Sequence, residues 1–265
     1  MSGLLRLLFI GDVVGPAGRT TIELFVPGLR HDLQLDAVIA NGENSADIGM
    51  GATAENAETL LQSVDFLTLG DHAFDQEDIG PLLDRDSRII RPINFEQPMP
   101  GRGYATLTVA GTRIGIINVL GRLFMRPAVT SPFAAVDQAI EELHAAGVRT
   151  IAVDMQAEAT SEKQGMGWYL AGKVTAMLGT HTHVPTADLR ILPGGTAFVS
   201  DVGMTGARDS IIGFEREPFL TFMVTGERQK TRPAAAGPLG LDAIVLTVDP
   251  ESGQTVAAER IYRGE

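Results

Sequence analysis

The chain has 265 residues, 44% of them hydrophobic, and a formal net charge of −12 at pH 7. The hydrophobic fraction is that of a folded globular protein, and the acidic excess argues against a long nucleic-acid duplex as a partner, because phosphate contacts dominate that kind of affinity. The absence of cysteine excludes disulfides, thiolate metal ligands and cysteine nucleophiles.

No apolar stretch reaches the ~18–20 residues that a membrane-spanning helix needs. The first residues also lack the basic leader and small-residue cleavage site of a signal peptide. We therefore expect a cytoplasmic protein with no membrane partner and no stable duplex nucleic-acid partner. A homo-oligomer stays open.

Strands and helices alternate in the first part of the chain. Apolar strands are predicted over residues 4–10, 37–40 and 66–69, and helices over 16–29, 53–63 and 75–83. Pro16 suits the first turn of its helix, and Thr53 is a candidate N-cap. This alternation is typical of α/β proteins.

The second part has more strand character. A hairpin is predicted over 104–109 and 112–118, a helix over 132–146, and buried strands over 150–154 and 174–178. Two further antiparallel pairs are predicted, 190–192 with 196–199 and 241–248 with 255–263. The Pro-, Ala- and Gly-rich stretch 230–240 is too short for a domain boundary, so we predict one domain over residues 1–265.

Five predicted strands each end in polar side chains that can bind metal. These are Asp12; Asn41, Glu43 and Asn44; Asp71 and His72; Asp154, Gln156 and Glu158; and His181 and His183. In a parallel sheet such ends converge on one edge, where α/β proteins place their sites. Mixed oxygen and nitrogen donors suit Mn, Fe or Zn, and so many donors favour two metals over one.

The pair His181 and His183 is the strongest single signal. Two imidazoles at positions i and i+2 point the same way where the backbone is extended, so we expect an extended segment here. Imidazole is a common ligand for transition metals. The alternative is a loop whose imidazoles are only hydrogen-bonded.

Six motifs, in this order, carry a family resemblance. They are Phe9-Ile10-Gly11-Asp12-Val13-Val14-Gly15, Asn41-Gly42-Glu43-Asn44, Gly70-Asp71-His72-Ala73-Phe74-Asp75, Ala157-Glu158-Ala159-Thr160-Ser161-Glu162-Lys163, Gly179-Thr180-His181-Thr182-His183-Val184 and Asp201-Val202-Gly203-Met204-Thr205-Gly206. With them the chain resembles the YmdB-like metallophosphoesterases, a branch of the calcineurin-like superfamily. The resemblance covers nearly the whole chain.

The resemblance implies an α/β fold, a four-layer αββα sandwich of the calcineurin-like metallophosphoesterase type, with a binuclear centre. It implies that one metal is held by Asp12, Glu43, Asn44 and His183. Glu43 would bridge to a second metal, whose other ligands fall at Asp71, Gln156 and His181. His72 would protonate the leaving alkoxide or stabilise developing charge.

Two positions depart from the family pattern, and both belong to the second metal. Asp71 stands where the family has Asn, which keeps an oxygen donor and adds a negative charge. Gln156 stands where the family has His, which replaces a good nitrogen ligand with a weak amide oxygen. These changes favour a harder cation at the second site and weaken its binding.

Several of these residues also have structural interpretations. Asp12 could cap a helix, His72 could be a hydrogen-bonded core histidine, and Asp154 could cap a strand end. Gln156 could donate to a ligand rather than bind metal. The glycines of the Asp201 to Gly206 motif predict a tight turn near the site, with Asp201 beside the ligands.

Other residues could contact a substrate. Arg122 and Arg126 could reach a phosphate or be solvated, and Trp168 and Tyr169 could stack a base or simply pack.

We predict a metal-dependent hydrolase that acts as a phosphodiesterase on small phosphoesters such as cyclic nucleotides, with a metal-bound hydroxide as the nucleophile. Two divalent ions are expected, with Fe or Mn preferred and Mg or Zn as alternatives. The alternative functions are a phosphomonoesterase and a metal-poor regulatory module that binds a phosphorylated ligand without turnover.

Overall fold

The computed structural model describes residues 3–264. Within that range the strands are β1 (Leu5–Ile10), β2 (Asp12–Val13), β3 (Ala37–Asn41), β4 (Phe66–Thr68), β5 (Ile89–Ile90), β6 (Tyr104–Val109), β7 (Thr112–Leu120), β8 (Thr150–Gln156), β9 (Ala176–Thr180), β10 (Arg190–Leu192), β11 (Thr196–Val199), β12 (Met204–Ala207), β13 (Leu239–Asp249) and β14 (Gln254–Gly264). The helices are α1 (Gly15–Asp32), α2 (Ala54–Leu60), α3 (Ile79–Arg85), α4 (Pro132–Ala145), α5 (Thr160–Leu170) and α6 (Arg216–Thr225).

The strands form two mixed sheets, so the predicted α/β class is confirmed. In the first sheet β1, β3, β4 and β5 run parallel, β13 pairs antiparallel with β1, β12 and β14, and β2 pairs parallel with β12. In the second sheet β7, β8, β9 and β11 run parallel, and β6 and β10 pair antiparallel at its two sides. Each sheet therefore has a block of parallel strands whose carboxyl ends can carry a site.

Strand β1 is buried on both faces. Leu8 and Ile10 share a hydrophobic cluster with Ile22 of α1. Side chains alternate along a strand, so the intervening Phe9 points the other way, into a second cluster that it shares with Ile116 of β7. The second cluster is thus common to the two sheets, which explains why β1 reads as a continuous apolar run.

A third hydrophobic cluster belongs to the second sheet and its helices. Val136 of α4 and Met166 of α5 share it with Val153 of β8 and Met177 of β9. One face of the central strands in this sheet therefore packs against the first sheet, and the opposite face is covered by α4 and α5.

Most predicted elements are confirmed, and the local reasons hold. Pro16 lies in the first turn of α1, and Thr53 caps α2 by accepting a hydrogen bond from the Asn56 N–H at 3.1 Å. The hairpin β6–β7 turns at Ala110 and Gly111, which have φ values of 47° and 81°. Positive φ at both turn residues matches the twist of the two strands, as two-residue hairpins require.

The predicted helix over 75–83 was wrong in its first half, since α3 begins only at Ile79. Proline has no N–H to donate and clashes with the preceding turn, so it is unfavourable in the interior of a short helix, although the longer α1 accommodates Pro27. A start at Asp75 would have placed Pro81 in the helix interior. Asp78 is used elsewhere, because its Oδ2 accepts the Ala54 N–H at 3.0 Å.

Five of the elements within residues 3–264 were not predicted: β2, β5, β12, α5 and α6. The first three are short, and β12 occupies the end of the motif that was expected to be a turn only. The glycines of α5 hide its helical pattern, yet Gly167 is needed there, because a Cβ at this position would lie 2.3 Å from the Phe198 ring. The helix α6 has no fully buried residue, and its Phe219 is only partly buried against a small hydrophobic cluster, so the helix lacks a regular apolar pattern in the sequence.

No helix within residues 3–264 combines the length and the apolar character that would let it span a membrane.

Candidate metal centre

The polar strand ends predicted from the sequence meet at one place, but they come from both sheets. The first sheet contributes Asp12, Glu43, Asn44, Asp71 and His72, and the second contributes Gln156, His181 and His183. The expectation of a single sheet edge was therefore wrong, because β8 pairs with β7 and β9 rather than with the first sheet. The site lies where the carboxyl ends of both parallel blocks come together.

Glu43 joins the two sheets and is fully buried. Its Oε1 accepts hydrogen bonds from Asn44 Nδ2 at 3.1 Å and from Gln156 Nε2. Its Oε2 accepts the backbone N–H of His72 at 3.3 Å. Gly70 leaves room for this carboxylate, since a Cβ there would lie 2.0 Å from Oε2. Any larger residue at position 70 would displace Glu43.

A group of three side chains around Glu43 has the spacing of metal ligands. One atom each from Glu43, Asp71 and His181 lies within 4.8 Å of the others. His181 Nδ1 is 3.2 Å from Asp71 Oδ1 and 3.4 Å from Gln156 Nε2. Carboxylate and imidazole donors in this arrangement can hold a transition metal.

A second group contains Asp12, Asn44 and His183. His183 Nε2 lies 3.1 Å from Asn44 Nδ2 and 3.8 Å from Asp12 Oδ1. His183 Nδ1 is 2.8 Å from the carbonyl oxygen of Ile212. A proton on Nδ1 satisfies that carbonyl and leaves the lone pair on Nε2, which is the tautomer that a metal ligand needs.

The charges of the cluster are unbalanced. Burial raises the pKa of Asp12 and, together with the carboxylates of Asp71 and Asp12, raises the pKa of Glu43 well above its usual value. Burial also acts on Asp71, but the His181 and His72 imidazoles beside it outweigh burial and lower the pKa of Asp71. Burial would lower the pKa of His181, and the neighbouring carboxylates, Asp71 first, raise it instead.

Two buried carboxylate oxygens of the cluster lack a well-formed hydrogen bond. Within the part of the chain that the structure describes, no donor is in hydrogen-bond geometry with Asp12 Oδ1 or Asp71 Oδ1, although His181 Nδ1 lies 3.2 Å from Asp71 Oδ1. Buried polar atoms almost always have a partner, so orphaned oxygens of this kind need an explanation. With the crowded carboxylates around Glu43, they indicate a place for a cation.

His72 lies at the edge of the cluster with about a fifth of its side chain exposed. Its Nδ1 is 2.7 Å from Asp75 Oδ2, and its Nε2 is 3.7 Å from Asp71 Oδ2. Asp75 therefore fixes the ring, and Nε2 is left on the side of the acidic cluster.

The backbone of the His-x-His segment is not extended, contrary to the prediction. His181 and His183 have φ values of 99° and 63°, which non-glycine residues rarely adopt. Thr182, which lies between the two histidines in the sequence, is fixed by Asp201. The Asp201 Oδ2 accepts hydrogen bonds from the Thr182 N–H at 3.0 Å and from the Thr182 hydroxyl at 2.7 Å. Such conformations persist where the surroundings over-determine them, often at functional sites.

Asp201 is itself held by a buried cation that the sequence did not reveal. Lys163 Nζ lies 2.9 Å from Asp201 Oδ2, and both side chains are only 1% exposed. Asp201 Oδ1 accepts the Gly203 N–H at 2.9 Å. The expectation that Asp201 lies beside the ligands is consistent with this arrangement, but a lysine in a polar helix has no signal of burial in the sequence.

Asp154 belongs to a network beneath the cluster. It accepts hydrogen bonds from Thr180 Oγ1 at 2.7 Å, from Asn41 Nδ2 at 3.0 Å and from Thr68 Oγ1. Burial raises its pKa to about 7, although these donors act in the opposite direction. Thr68 and Thr180 were missed in the sequence. The one available signal was the period-two spacing of Asp154 and Gln156, which puts both on one face of β8.

A cavity of about 440 Å³ opens beside the cluster. Arg126 lines it, so this arginine can reach a bound ligand, whereas Arg122 lines a different cavity near Ser161. Trp168 is 57% exposed and lies near Arg190, so it does not contribute to the site. Tyr169 packs edge-on against Phe133.

The two mixed sheets place the chain in a known class of α/β fold, the one found in 5′-nucleotidases. The fold is that of the 5′-nucleotidase precursor from Thermus thermophilus, with a TM-score of 0.55 and 16% identity over 98% of this chain and 54% of the nucleotidase. At that identity the likeness concerns the fold alone.

Within this class, the chain belongs to the YmdB-like protein family, whose family model matches residues 8–261. It is 41% identical over 260 residues to the 2′,3′-cyclic-nucleotide 2′-phosphodiesterase of Bacillus subtilis (strain 168), covering 97% of this chain and 96% of that protein. The crystal structure of a novel phosphatase from Mycoplasma pneumoniae matches with a TM-score of 0.93 and 30% identity, over 100% of this chain and 95% of that one. The resemblance inferred from the six motifs is confirmed.

Proposed function

We propose that this protein is a metal-dependent phosphodiesterase that hydrolyses small cyclic-nucleotide phosphoesters. The observation that carries the proposal is the cluster of carboxylates and imidazoles around the buried Glu43, at the wall of a cavity of about 440 Å³. The activity named for the Bacillus subtilis relative supports the choice of substrate.

The residues present fit divalent metals. Buried oxygens of Asp12 and Asp71 lack a well-formed hydrogen bond within the described residues, and burial together with these two carboxylates raises the pKa of Glu43. A bound cation would stabilise all three carboxylates in their ionised form. We assign one ion to Asp12, Glu43, Asn44 and His183, and a second to Glu43, Asp71, Gln156 and His181. The mixed oxygen and nitrogen donors favour Mn or Fe, with Mg or Zn as alternatives.

When bound, such ions supply a hydroxide nucleophile near neutral pH and neutralise the charge on the phosphate. The chain's own residues then have separate tasks. His72 Nε2 gives a proton to the leaving oxygen, and Asp75 holds the ring from the Nδ1 side at 2.7 Å. Arg126, on the cavity wall, attracts the anionic substrate.

The finer features of the architecture belong to this proposal. We propose a single domain built as a four-layer αββα sandwich of the calcineurin-like metallophosphoesterase type. This proposal is supported by the three hydrophobic clusters. One lies between the two sheets, a second joins the first sheet to its helices, and a third joins the second sheet to its helices. The net charge of −12 and the lack of cysteine agree with a cytoplasmic enzyme of small anions rather than of duplex nucleic acid.

The experiment is to strip the metals and add them back. The stripped protein is assayed on bis-p-nitrophenyl phosphate, 2′,3′-cyclic AMP and the monoester p-nitrophenyl phosphate, with Mn, Fe, Mg and Zn added singly. We expect no hydrolysis without metal, and diester hydrolysis restored best by Mn or Fe. Faster hydrolysis of the monoester would instead establish a phosphomonoesterase. Metal binding without turnover of any substrate would establish a binding module.

Gln156→His is expected to increase the occupancy of the second metal. In the structure the amide nitrogen of Gln156 donates to Glu43, while its oxygen accepts an N–H of the Asn41 amide at 3.3 Å. An imidazole would replace this arrangement with a nitrogen ligand. The number of Mn ions bound per chain, measured after dialysis against limiting Mn, should therefore rise toward two. An unchanged metal content would show that Gln156 is not at a ligand position.

A further inference from the structure

The cavity beside the metal cluster has two chemically different parts. One part is formed by the polar side chains of the cluster, and the other by four apolar side chains, Met50, Ile212, Phe214 and Phe219. A nucleoside cyclic phosphate has the same division, with an anionic phosphate at one end and a flat, weakly polar base at the other.

The apolar part is fixed relative to the metal cluster. Ile212 has a φ of 49°, a strained value for a β-branched residue, and its carbonyl oxygen lies 2.8 Å from His183 Nδ1. Such strain is maintained where a functional geometry requires it. The chain therefore passes directly from a metal-ligand contact into the apolar wall.

The wall is also packed from behind. Phe214 is buried against Val14 and Met204, and a Cβ on Gly49 would lie 2.7 Å from its ring, so the ring cannot shift in that direction. The Phe219 ring lies 6.0 Å from the Phe214 ring, centroid to centroid, at 52°. Phe219 is only partly buried, so its surface is available to a ligand.

We propose that this apolar wall is the nucleobase subsite, with Phe219 as its stacking residue. This inference rests on the proposed function and specifies how the substrate is recognised. The four side chains offer no hydrogen-bonding group. Apart from Asn44 and Thr182 of the cluster, Thr231 has the one hydroxyl or amide donor on the described part of the cavity wall, so the base is bound mainly by its face rather than by its edge. Purine and pyrimidine 2′,3′-cyclic nucleotides are therefore all accepted, as expected for recognition by stacking.

The test compares 2′,3′-cyclic AMP with a base-free diester, methyl riboside 2′,3′-cyclic phosphate, in the Mn-loaded enzyme. The wild type is expected to have a KM about tenfold lower for the nucleotide, which corresponds to the usual effect of one aromatic stack. Phe219→Ala should remove that difference with kcat retained, whereas Phe219→Tyr should keep it. Leu220→Ala alters the exposed neighbour on the same helix and should leave both KM values unchanged.

Two results would overturn the subsite. One is an equal KM for both diesters in the wild type. The other is a Phe219→Ala variant, with an unchanged melting temperature, in which the difference between the two KM values persists, whether both values stay the same or rise together. Either result leaves the phosphodiesterase proposal intact, because both substrates are still hydrolysed. If the wild type hydrolyses neither diester with any metal, the proposed function fails and the subsite fails with it.

Discussion

Glu43→Gln should reduce metal-dependent hydrolysis by more than about a hundredfold. Loss of a residue that only hydrogen-bonds to a metal ligand typically reduces activity by about 10- to 100-fold, and Glu43 is assigned as a ligand itself, so the effect should be larger. Glutamine preserves the shape of the side chain that accepts hydrogen bonds from Asn44, Gln156 and the His72 N–H. It has one carbonyl oxygen and no charge, so it would be a much weaker ligand than the Glu43 carboxylate for the cations that the cluster would hold. The measurement is kcat on bis-p-nitrophenyl phosphate together with metal content.

The same substitution should make the metal-free protein more stable. Burial and the carboxylates of Asp71 and Asp12 raise the pKa of Glu43 well above its ordinary value of 4.5. The folded chain therefore holds this proton more tightly than the unfolded chain, and wild-type stability falls as the pH rises above 4.5 toward the raised pKa. Glutamine does not ionise. In the presence of EDTA, the unfolding midpoint of the variant should therefore exceed that of the wild type by an amount that grows from pH 4.5 to pH 7.

Glu55→Gln is the control for both measurements, because Glu55 is exposed in the first turn of α2. It should change neither the hydrolysis rate nor the pH dependence of stability. A Glu43→Gln enzyme with wild-type kcat would contradict the assignment of Glu43 as a ligand. A metal-free variant less stable than the wild type at pH 7 would contradict the picture of a repelled, buried carboxylate.

Lys163→Met should lower the free energy of unfolding by about 3–5 kcal/mol, the usual effect of removing one partner of a buried ion pair. Methionine fills much of the same volume but leaves the Asp201 carboxylate, 1% exposed, without its cation. Thr182 and Gly203 still donate to Asp201, yet neither carries a charge. Urea unfolding of the metal-free protein measures the loss.

The double variant Lys163→Met with Asp201→Asn should recover much of that loss, because removing both charges avoids a buried unpaired one. Lys173→Met gives the matched comparison at the surface. Lys173 forms a half-exposed pair with Asp137 at 3.5 Å, and its loss should cost about 1 kcal/mol or less. Equal effects of the two lysine substitutions would mean that the buried pair has no special role in stability.

Much of the site could be predicted from the sequence because its residues follow strand ends. Asp12, Glu43 and Asp71 each come directly after an apolar run, and the pattern of such runs is local information. Lys163 had no such signal, since the burial of a lysine depends on Asp201, which is 38 residues away. The backbone of His181 and His183 was also beyond prediction, because contacts with distant residues hold it.

By itself, the sequence determined the α/β class, the approximate positions of most strands, the family and the set of polar side chains that meet at the site. Local periodicity and turn chemistry are sufficient for these, since they act within a few residues. Only the tertiary structure decided that the ligands come from two sheets and that Asp201 and Lys163 support the histidines. It also decided that an apolar wall faces the acidic cluster. These features depend on which strands pair and which loops touch across the fold, and no short segment of the chain encodes them.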